Sequence, residues 1–347
     1  MKTYQPLTPD EVKEIASNYF KARVVKTTPQ AEPLLVLIGG QPGAGKSSAG
    51  NMVRKELAKQ GGFIHLDADR LRAQIDTKGA KPTSEQTQKD AGQLVGELRR
   101  QAVEGRRNAL EEGTFWNTDS VSAFVDARKQ DGFKVDMVAV ATPREESLLG
   151  IYQRFELQHI REDGNPRFVT EEYHDKTMMD FEKTLATNEA KFDRVRVINR
   201  DGNVLFDSRA GQQNNSTAVQ ALQEGRKLTD ARLAAIGKAW EAIREQADAR
   251  GANSQYLAQV QQHAGRIVGM QTDRVYNHAM KNVPDNLKTL TADPRFANHS
   301  DDELRGGSGN SDKRLSGNSA QMEMRNMRNR SGADETYQKE SHGSIQG

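Results

Sequence analysis

Hydrophobic positions follow two patterns from the N-terminus to about Gln212. Short apolar runs alternate with longer segments in which apolar residues recur at helical spacing. The run PLLVLIGG, residues 33–40, contains no charged or strongly polar position, which is typical of a central parallel strand covered on both faces. Further strands are predicted at FIHLD (63–67), FKVDMVAVA (133–141) and RVRVIN (194–199).

Helical segments lie between these strands. The first begins at Thr8, where the Thr cap, Pro9 and Glu11 form the pattern of a capping box. Because strands alternate with helices of ten or more residues, the sequence predicts right-handed βαβ crossovers and an α/β fold with a mostly parallel sheet flanked by helices. After the turn RDGN, the segment NVLFD is predicted to return as an antiparallel edge strand. The predicted helices run from Thr8 to about Val24, from Lys46 to about Gln60, from about Glu85 to Leu110, from about Ser120 to Lys129, from Pro143 to about Arg161 and from Thr170 to about Phe192.

The pattern changes beyond about Gln212. Two helical segments, about 218–250 and 254–282, carry apolar residues on otherwise polar faces, so we expect them to pair with each other or with the preceding domain. The last part of the chain is rich in Gly, Ser, Asn, Asp and Arg, and burial of its few large apolar side chains would not offset its ordering entropy. We therefore predict an α/β domain over residues 1–212, an all-α appendage over 213–290 and a disordered tail over 291–347.

Composition narrows the class of protein. The 347 residues are 35% hydrophobic and 28% charged, with a formal net charge of +2, so no strong field favours nucleic acid and we do not expect it as a partner. The absence of cysteine excludes disulfides, thiolate catalysis and cysteine-ligated zinc. The sequence contains no signal-peptide pattern and no apolar stretch of about 18 residues. We expect a soluble protein of the cytoplasm with no membrane partner.

The first apolar run leads directly into GQPGAGKS, residues 40–47, which fits the pattern G-x-x-x-x-G-K-[ST]. The segment lies between a predicted strand and a predicted helix, the context that a phosphate-binding P-loop requires. Its glycines allow successive backbone N–H groups to face a triphosphate, Lys46 reaches the β- and γ-phosphates, and the Ser47 hydroxyl takes Mg²⁺. The residues predicted to bind the nucleotide are Gly40, Gln41, Pro42, Gly43, Ala44, Gly45, Lys46, Ser47 and Ser48.

Asp67 stands at the carboxyl end of the predicted strand FIHLD, where open α/β sheets place ligand-facing residues. A carboxylate there can accept a proton from an acceptor hydroxyl, or orient that hydroxyl, as its oxygen attacks the γ-phosphorus. The alternative is a helix N-cap, a role that Asp69 can fill instead. His65, on the same strand, is interpreted as a structural histidine.

Two further clusters carry polar side chains suited to a ligand. Glu112 and Thr114, in the segment EEGT, are placed to hydrogen-bond a ligand that approaches the backbone closely. RRNALEEGT is more polar than an interior strand, so either the strand before EEGT is short, or Glu111 and Glu112 end a helix that a glycine caps. Arg154 and Arg167 are candidates for stabilising the charge on a transferring phosphoryl group, although most arginines are solvated surface groups.

Together these segments resemble the zeta toxins, the P-loop kinases of toxin–antitoxin pairs. The resemblance rests on GGQPGAGKSS, LDADRLR, EEGT, the pair Arg154 and Arg167, and the closing DRVRVINRDGNVLFDS, and it extends from about Glu11 to Ser208. It implies a kinase that moves the γ-phosphate of ATP or GTP to a hydroxyl of UDP-N-acetylglucosamine and so blocks the synthesis of cell-wall precursors. It also implies a small helical antitoxin, a separate chain, that blocks the nucleotide site.

The resemblance further implies a role for each candidate residue. One role stays open: the run MVAVATP has no aspartate at its end, so the second metal ligand is either Asp67 or water. By resemblance, Lys46 and Ser47 hold phosphates and metal, Asp67 activates the sugar hydroxyl, Glu112 and Thr114 contact the acceptor sugar, and Arg154 and Arg167 stabilise the transferring phosphoryl group.

Two other functions stay open. The same phosphate loop and base would serve a kinase of another small hydroxyl compound, such as an antibiotic or a nucleoside. Alternatively, the kinase is the cargo of a translocated effector, and the basic C-terminal stretch RLSGNSAQMEMRNMRNRSG is its delivery signal. The simplest interpretation of that stretch is a solvated chain end without a role.

Overall fold

The computed structural model describes residues 3–80, 82–83, 85–161, 166, 168–210 and 216–281. The chain divides into two compact units, Met1–Val260 and Gln261–Gly347. The described part of the second unit is the C-terminal portion of the last helix. Arg167 and the predicted tail lie outside the described residues, and the predicted domain boundary at residue 212 stays a prediction.

A six-stranded sheet forms the centre of the first unit. Its strands are β1 (Leu34–Gly39), β2 (Ile64–Leu66), β3 (Ala109–Gly113), β4 (Lys134–Ala141), β5 (Arg194–Asn199) and β6 (Val204–Asp207). They lie in the order β2-β3-β1-β4-β5-β6, with parallel pairing throughout except between β5 and β6. The predicted α/β fold with a mostly parallel sheet is therefore confirmed, and so is the antiparallel edge strand.

Helices connect the parallel strands and follow the sheet. The first is capped as predicted: Glu11 N–H donates to the Thr8 hydroxyl at 3.3 Å, and Thr8 N–H donates to the Glu11 carboxylate at 2.8 Å. No helix within the described ranges is both long and apolar enough to cross a lipid bilayer. The α-helices are α1 (Pro9–Val24), α2 (Lys46–Lys59), α3 (Ala68–Arg72), α4 (Gln88–Glu104), α5 (Thr118–Gln130), α6 (Arg144–Ile160), α7 (Glu171–Asn188), α8 (Ala218–Gly225), α9 (Asp230–Ala249) and α10 (Ser254–Lys281).

Alternate side chains of the central strand enter two different hydrophobic clusters. Leu35 and Leu37 of β1 lie in the cluster that includes residues of α1, α4, α5, α7 and α8. Val36 and Ile38 lie in the cluster that includes residues of α2. Both faces of the strand are therefore buried, as its uninterrupted apolar run predicts. The loops that follow the carboxyl ends of the parallel strands lie along one edge of the sheet.

The segment up to Leu110, predicted as the end of a helix, forms strand β3 instead. Helix α4 ends at Glu104, and β3 lies between β1 and β2 and pairs with both. The polarity of this interior strand is accommodated because Arg99 of α4 donates hydrogen bonds of 3.1 and 2.8 Å to the Glu111 carboxylate. Pairing on both sides thus overrides the local pattern.

The segment predicted as one helix over about 218–250 is broken in two. Thr229 caps α9 by accepting a 3.3 Å hydrogen bond from the Arg232 N–H. Such a cap starts a new helix, because the Thr side chain satisfies an N–H group that has no partner within the helix.

Helices α8 and α9 both lie in the same compact unit as the sheet. Helix α8 contacts β4, β5 and β6, and its Ala218 and Leu222 are buried in the cluster on that face. Helix α9 packs against α6, where the rings of Trp240 and Tyr152 meet edge to face with their centroids 4.9 Å apart. The expectation that the C-terminal helices pack on the preceding domain is therefore confirmed for α8 and α9.

Candidate active site

The loop of residues 40–45 connects β1 to the N-terminus of α2. Gly43 and Gly45 adopt φ angles of +73° and +84°, which residues with a side chain rarely adopt. A Cβ atom on Gly43 would also lie 1.9 Å from the carbonyl oxygen of Ser147. Both positions therefore require glycine, and the tight turn that results aims the positive end of the α2 dipole at the edge of the sheet.

Lys46, the first residue of α2, is held against the preceding loop. Its ammonium group donates hydrogen bonds of 2.8 Å to the carbonyl oxygen of Gly40 and 3.0 Å to that of Gln41. Desolvation lowers the pKa of Lys46 to about 8; the charge of Glu112 opposes this shift, and the charge of Arg154 adds to it. Because burial destabilises the ammonium ion, a polyanion beside Lys46 would stabilise the charged form and would itself be attracted by that charge.

Glu112, near the end of β3, contacts residues of two other elements. One of its carboxylate oxygens accepts a 3.0 Å hydrogen bond from the Ser47 hydroxyl. The other forms an ion pair with Arg54 of α2 and lies 3.3 Å from Nε2 of His65 on β2. Burial opposes the ionisation of Glu112, but the close approach of His65 and the charge of Arg54 lower the pKa of the carboxyl group to about 2. Glu112 is therefore an anion at every physiological pH.

Asp67 directly follows β2 and caps the short helix α3. Its carboxylate accepts hydrogen bonds of 2.9 and 3.2 Å from the backbone N–H groups of Asp69 and Arg70, and it lies 3.2 Å from Nε of Arg70. Asp67 rather than Asp69 is thus the N-cap. The side chain keeps 27% of its surface exposed at the edge of the sheet. Its catalytic role stays a prediction.

Strand pairing brings these side chains to one edge of the sheet. Leu66 of β2 is in register with Glu111 of β3, and Glu111 is in register with Leu37 of β1. Asp67 and Glu112 are the next residues on their strands, so they stand at the same level. Glu112 lies on the strand next to β1, beside the point where β1 passes into the loop, and Asp67 lies one strand further away.

The other residues predicted to contact the acceptor or the phosphoryl group are Arg154, Thr114 and Arg167. Arg154 of α6 lies near enough to Lys46 for its charge to affect the lysine. Thr114 follows the end of β3 directly and is partly buried. Arg167 lies outside the described residues. The structure thus brings Lys46, Ser47 and Glu112 together, with Thr114 on the adjoining segment, and the charge of Arg154 acts on Lys46.

Gln41 contributes its backbone to the loop, while its side chain points into the protein. The side chain is fully buried. Its amide nitrogen donates to the carbonyl oxygen of Thr142 at 2.8 Å and to the hydroxyl of Ser147 at 3.2 Å, and its amide oxygen accepts from Arg226 at 3.2 Å. The side chain of Gln41 therefore anchors the loop to Thr142, Ser147 and Arg226 in the interior of the protein.

The oxygen atoms of the site could bind Mg²⁺ only together with a ligand that supplies further oxygen atoms. Across the part of the chain that the structure describes, no group of three or more histidine, aspartate or glutamate side chains could enclose a metal ion. The Ser47 hydroxyl and the Glu112 carboxylate are hard oxygen donors 3.0 Å apart. Mg²⁺ prefers such donors and completes its shell with phosphate oxygens and water, so these residues fit Mg²⁺ bound together with a nucleotide.

Arg54 and His65 contact Glu112 but are not among the predicted site residues. Arg54 lies seven positions after Ser47 on α2, so helical spacing places both on one face and could have indicated it. His65 was interpreted as structural. Only the pairing of β2 with β3 brings it to Glu112.

Similarity to known proteins decides the family. The family model of the zeta toxins matches residues 19–211, which is more than half of the chain. The chain belongs to the zeta toxin family. The matched range contains the loop of residues 40–45 and the site residues on α2, β3 and α6.

Individual zeta toxins agree with this assignment. The chain is 28% identical over 229 residues to toxin PezT of Streptococcus pneumoniae serotype 4, which covers 63% of this chain and 88% of PezT. It is 25% identical over 188 residues to toxin zeta of Streptococcus pyogenes, covering 51% of this chain and 63% of that protein. A structure from the PezAT chromosomal toxin–antitoxin system of S. pneumoniae matches with a TM-score of 0.60 and 25% identity, over 71% of this chain and 100% of that chain. The protein is thus a kinase-like, P-loop nucleotide-binding toxin of the toxin–antitoxin class.

Proposed function

We propose that this zeta toxin transfers the γ-phosphoryl group of ATP or GTP to a hydroxyl group of UDP-N-acetylglucosamine. The observation that carries the proposal is the hydrogen bond between Ser47 and Glu112 beside the partly buried Lys46, because it joins the start of α2, which follows the phosphate loop, to a carboxylate on the next strand. Similarity to PezT over 88% of the length of that toxin supports the same reading. Consumption of this precursor would make the protein toxic to a cell that builds a wall.

The loop and α2 supply the nucleotide site in this proposal. Lys46 exchanges its two loop carbonyls for oxygens of the β- and γ-phosphates, and the α2 dipole adds a positive potential at the same place. Ser47, with Glu112 beside it, would hold Mg²⁺. The bound ion would supply positive charge between the β- and γ-phosphates.

Asp67 is proposed to receive the proton of the attacking hydroxyl group. Its hydrogen bonds from two backbone N–H groups and its ion pair with Arg70 hold the side chain in a defined orientation at the end of β2. A carboxylate at this level of the sheet orients the hydroxyl and takes its proton as the new P–O bond forms. Glu112 and Thr114, on the adjoining strand and its continuation, are proposed to contact the sugar.

Arginine side chains are proposed to stabilise the charge that spreads over the transferring phosphoryl oxygens. For Arg154 the support is that its charge acts on Lys46, the lysine proposed to bind the β- and γ-phosphates. For Arg167 the support is the family resemblance.

A small antitoxin protein is proposed to restrain the toxin by covering the nucleotide site. The structural relative from a toxin–antitoxin system supports such a partner. The proposal requires that antitoxin and nucleotide compete, so a saturating ATP analogue should weaken the binding of the antitoxin.

The proposed reaction is tested with purified protein, Mg²⁺, ATP or GTP and a panel of UDP-sugars, followed by mass spectrometry of the sugar nucleotides. We expect UDP-N-acetylglucosamine to gain the mass of one phosphate. Asp67→Asn should lower the rate by about 10²- to 10⁴-fold, the usual contribution of a general base. Asp69→Asn, in the same helical turn, is the matched control and should stay active.

Two results would contradict the proposal. A protein that binds ATP but phosphorylates none of the UDP-sugars has another acceptor, and the same assay with nucleosides and antibiotics would show the alternative kinase. Equal rates for wild type and Asp67→Asn would remove Asp67 from the mechanism.

A further inference from the structure

Arg226 links the end of a C-terminal helix to the phosphate loop. It lies at the C-terminus of α8, beyond residue 211, where the match to the family model ends. Its side chain is only 6% exposed and pairs with Glu182 of α7 at 2.8 Å. The other guanidinium nitrogen donates to the amide oxygen of Gln41 at 3.2 Å and to the carbonyl oxygen of Met178 at 3.4 Å. A buried cation from outside the family-matched range therefore touches the loop.

Gln41 carries this contact to Lys46. The buried amide of Gln41 is held at its nitrogen by Thr142 and Ser147 and at its oxygen by Arg226. The backbone carbonyl of Gln41 accepts the 3.0 Å hydrogen bond from the Lys46 ammonium group. Without Arg226, the buried amide oxygen of Gln41 would lose its hydrogen-bond donor. Gln41 would then be more stable in a position where that oxygen finds another donor.

Gly225 brings the end of α8 into range. A Cβ atom on Gly225 would lie 2.4 Å from Cδ1 of Leu205 and 2.7 Å from Cβ of Ala141, so glycine permits the close approach. Ala141 is the last residue of β4, and Thr142, which anchors Gln41, follows it. The close contact is thus located where the loop is anchored.

Burial of Arg226 is unfavourable for its charge. Desolvation lowers the pKa of Arg226 to about 10, and the charge and hydrogen bond of Glu182 only partly oppose the shift. Buried ion pairs add little to net stability and can often be replaced by apolar side chains. The contact with Gln41 indicates that the buried cation positions the phosphate loop rather than stabilising the fold.

We propose that Arg226 is a positioning residue for the nucleotide: through Gln41 it fixes the loop carbonyl that holds Lys46, and so it sets the affinity for the triphosphate. The inference rests on the proposed nucleotide site and is independent of the acceptor. It makes α8, which follows the family-matched range, a part of that site.

The test compares full-length wild type and Arg226→Met for the Kd of a non-hydrolysable ATP or GTP analogue with Mg²⁺, by calorimetry, and for Tm. We expect Arg226→Met to raise the Kd about tenfold, since the variant leaves a buried acceptor without its donor. Because the effect acts through Gln41, the double variant Arg226→Met/Gln41→Met should bind no more weakly than Gln41→Met alone.

Two matched controls separate positioning from general destabilisation. Glu182→Gln removes the ion pair but keeps the contact of Arg226 with Gln41, and its Kd should stay near that of wild type. Arg194→Met removes an arginine that pairs with Asp207 on the edge hairpin, away from the loop, and should lower Tm without changing the Kd. Gly225→Ala should weaken binding as Arg226→Met does, and it carries the test if Arg226→Met does not fold.

Three outcomes are distinguishable. A folded Arg226→Met that binds the analogue as tightly as wild type overturns the inference, and so does an equal loss in Arg194→Met. A wild type that binds neither analogue refutes the nucleotide site and the inference with it. Weakened binding in Arg226→Met, together with no phosphorylation of any UDP-sugar by wild type, refutes only the proposed acceptor and supports the inference.

Discussion

The charge of Lys46 depends on what lies around its ammonium group. In the free protein its ammonium group donates hydrogen bonds to two loop carbonyls, and burial and Arg154 both favour the neutral amine. A bound triphosphate would place several negative charges against it and raise its pKa again. Binding and protonation of Lys46 are therefore linked.

This linkage predicts that nucleotide affinity falls as the pH rises above about 8. The free protein loses the Lys46 proton through a pH of about 8, whereas the complex retains it, so binding takes up a proton in this range. The Kd should increase by up to about tenfold per pH unit, measured by calorimetry from about pH 7 to about 9.5 in buffers of different ionisation enthalpy. Lys46→Met should bind weakly at every pH, and a Kd for wild type that is constant over this range would contradict the prediction.

At the scale of single elements, helix α1 shows how a local signal is sufficient. Thr8, Pro9 and Glu11 predict the start of the helix, and the structure contains both reciprocal hydrogen bonds of the capping box. These contacts span only three residues, so they form wherever the rest of the chain lies.

The cap predicts a specific loss of stability. Thr8→Ala should lower the free energy of unfolding by about 1 kcal/mol, because it leaves an N–H group of the first turn without its acceptor. Urea unfolding followed by circular dichroism measures the change. Glu14→Ala, on the exposed face of the same helix, should change it by less than about 0.5 kcal/mol, and equal effects in the two variants would argue against the cap.

Strand β3 is the opposite case among the elements. Considered alone, the polar segment RRNALEEGT leaves open either a short strand or a helix end. It becomes an interior strand because β1 and β2 pair with it and because Arg99 neutralises Glu111. The candidate site depends on this result, since β3 carries Glu112 to Ser47.

At the scale of the whole molecule, one of the helices that pack on the sheet lies outside the family-matched range. Helix α8 begins at Ala218, after the match ends at residue 211, yet Ala218, Ala221 and Leu222 are buried in the main hydrophobic cluster. Burial of these two alanines and one leucine contributes on the order of 3–5 kcal/mol, a large share of the stability of a typical domain.

A chain that ends at residue 211 should therefore be severely destabilised. We expect it to aggregate or to have a Tm at least about 10 °C below that of a chain that ends at residue 281, because its apolar sheet face is exposed. Thermal unfolding and nucleotide binding compare the two. A chain of residues 1–211 that melts and binds nucleotide like the longer one would show that α8 is dispensable.

The sequence by itself determined the parts of this protein. The strand–loop–helix unit with Lys46 and Ser47, the alternation of strands and helices, and the cap of α1 all depend on neighbours in the chain, so periodicity and turn chemistry were sufficient to predict them. The same local signals indicated Asp67 and Glu112 as candidates but not the contacts that either makes.

Only the tertiary structure decided those contacts. Arg54 meets Glu112 across 58 positions of the chain, and Arg226 meets Gln41 across 185. Such pairs depend on the order of the strands and on which helix covers which face, and no local pattern encodes that order. The physical reason is that a residue's immediate neighbours set its backbone conformation, whereas burial and pairing between distant segments determine what its side chain touches.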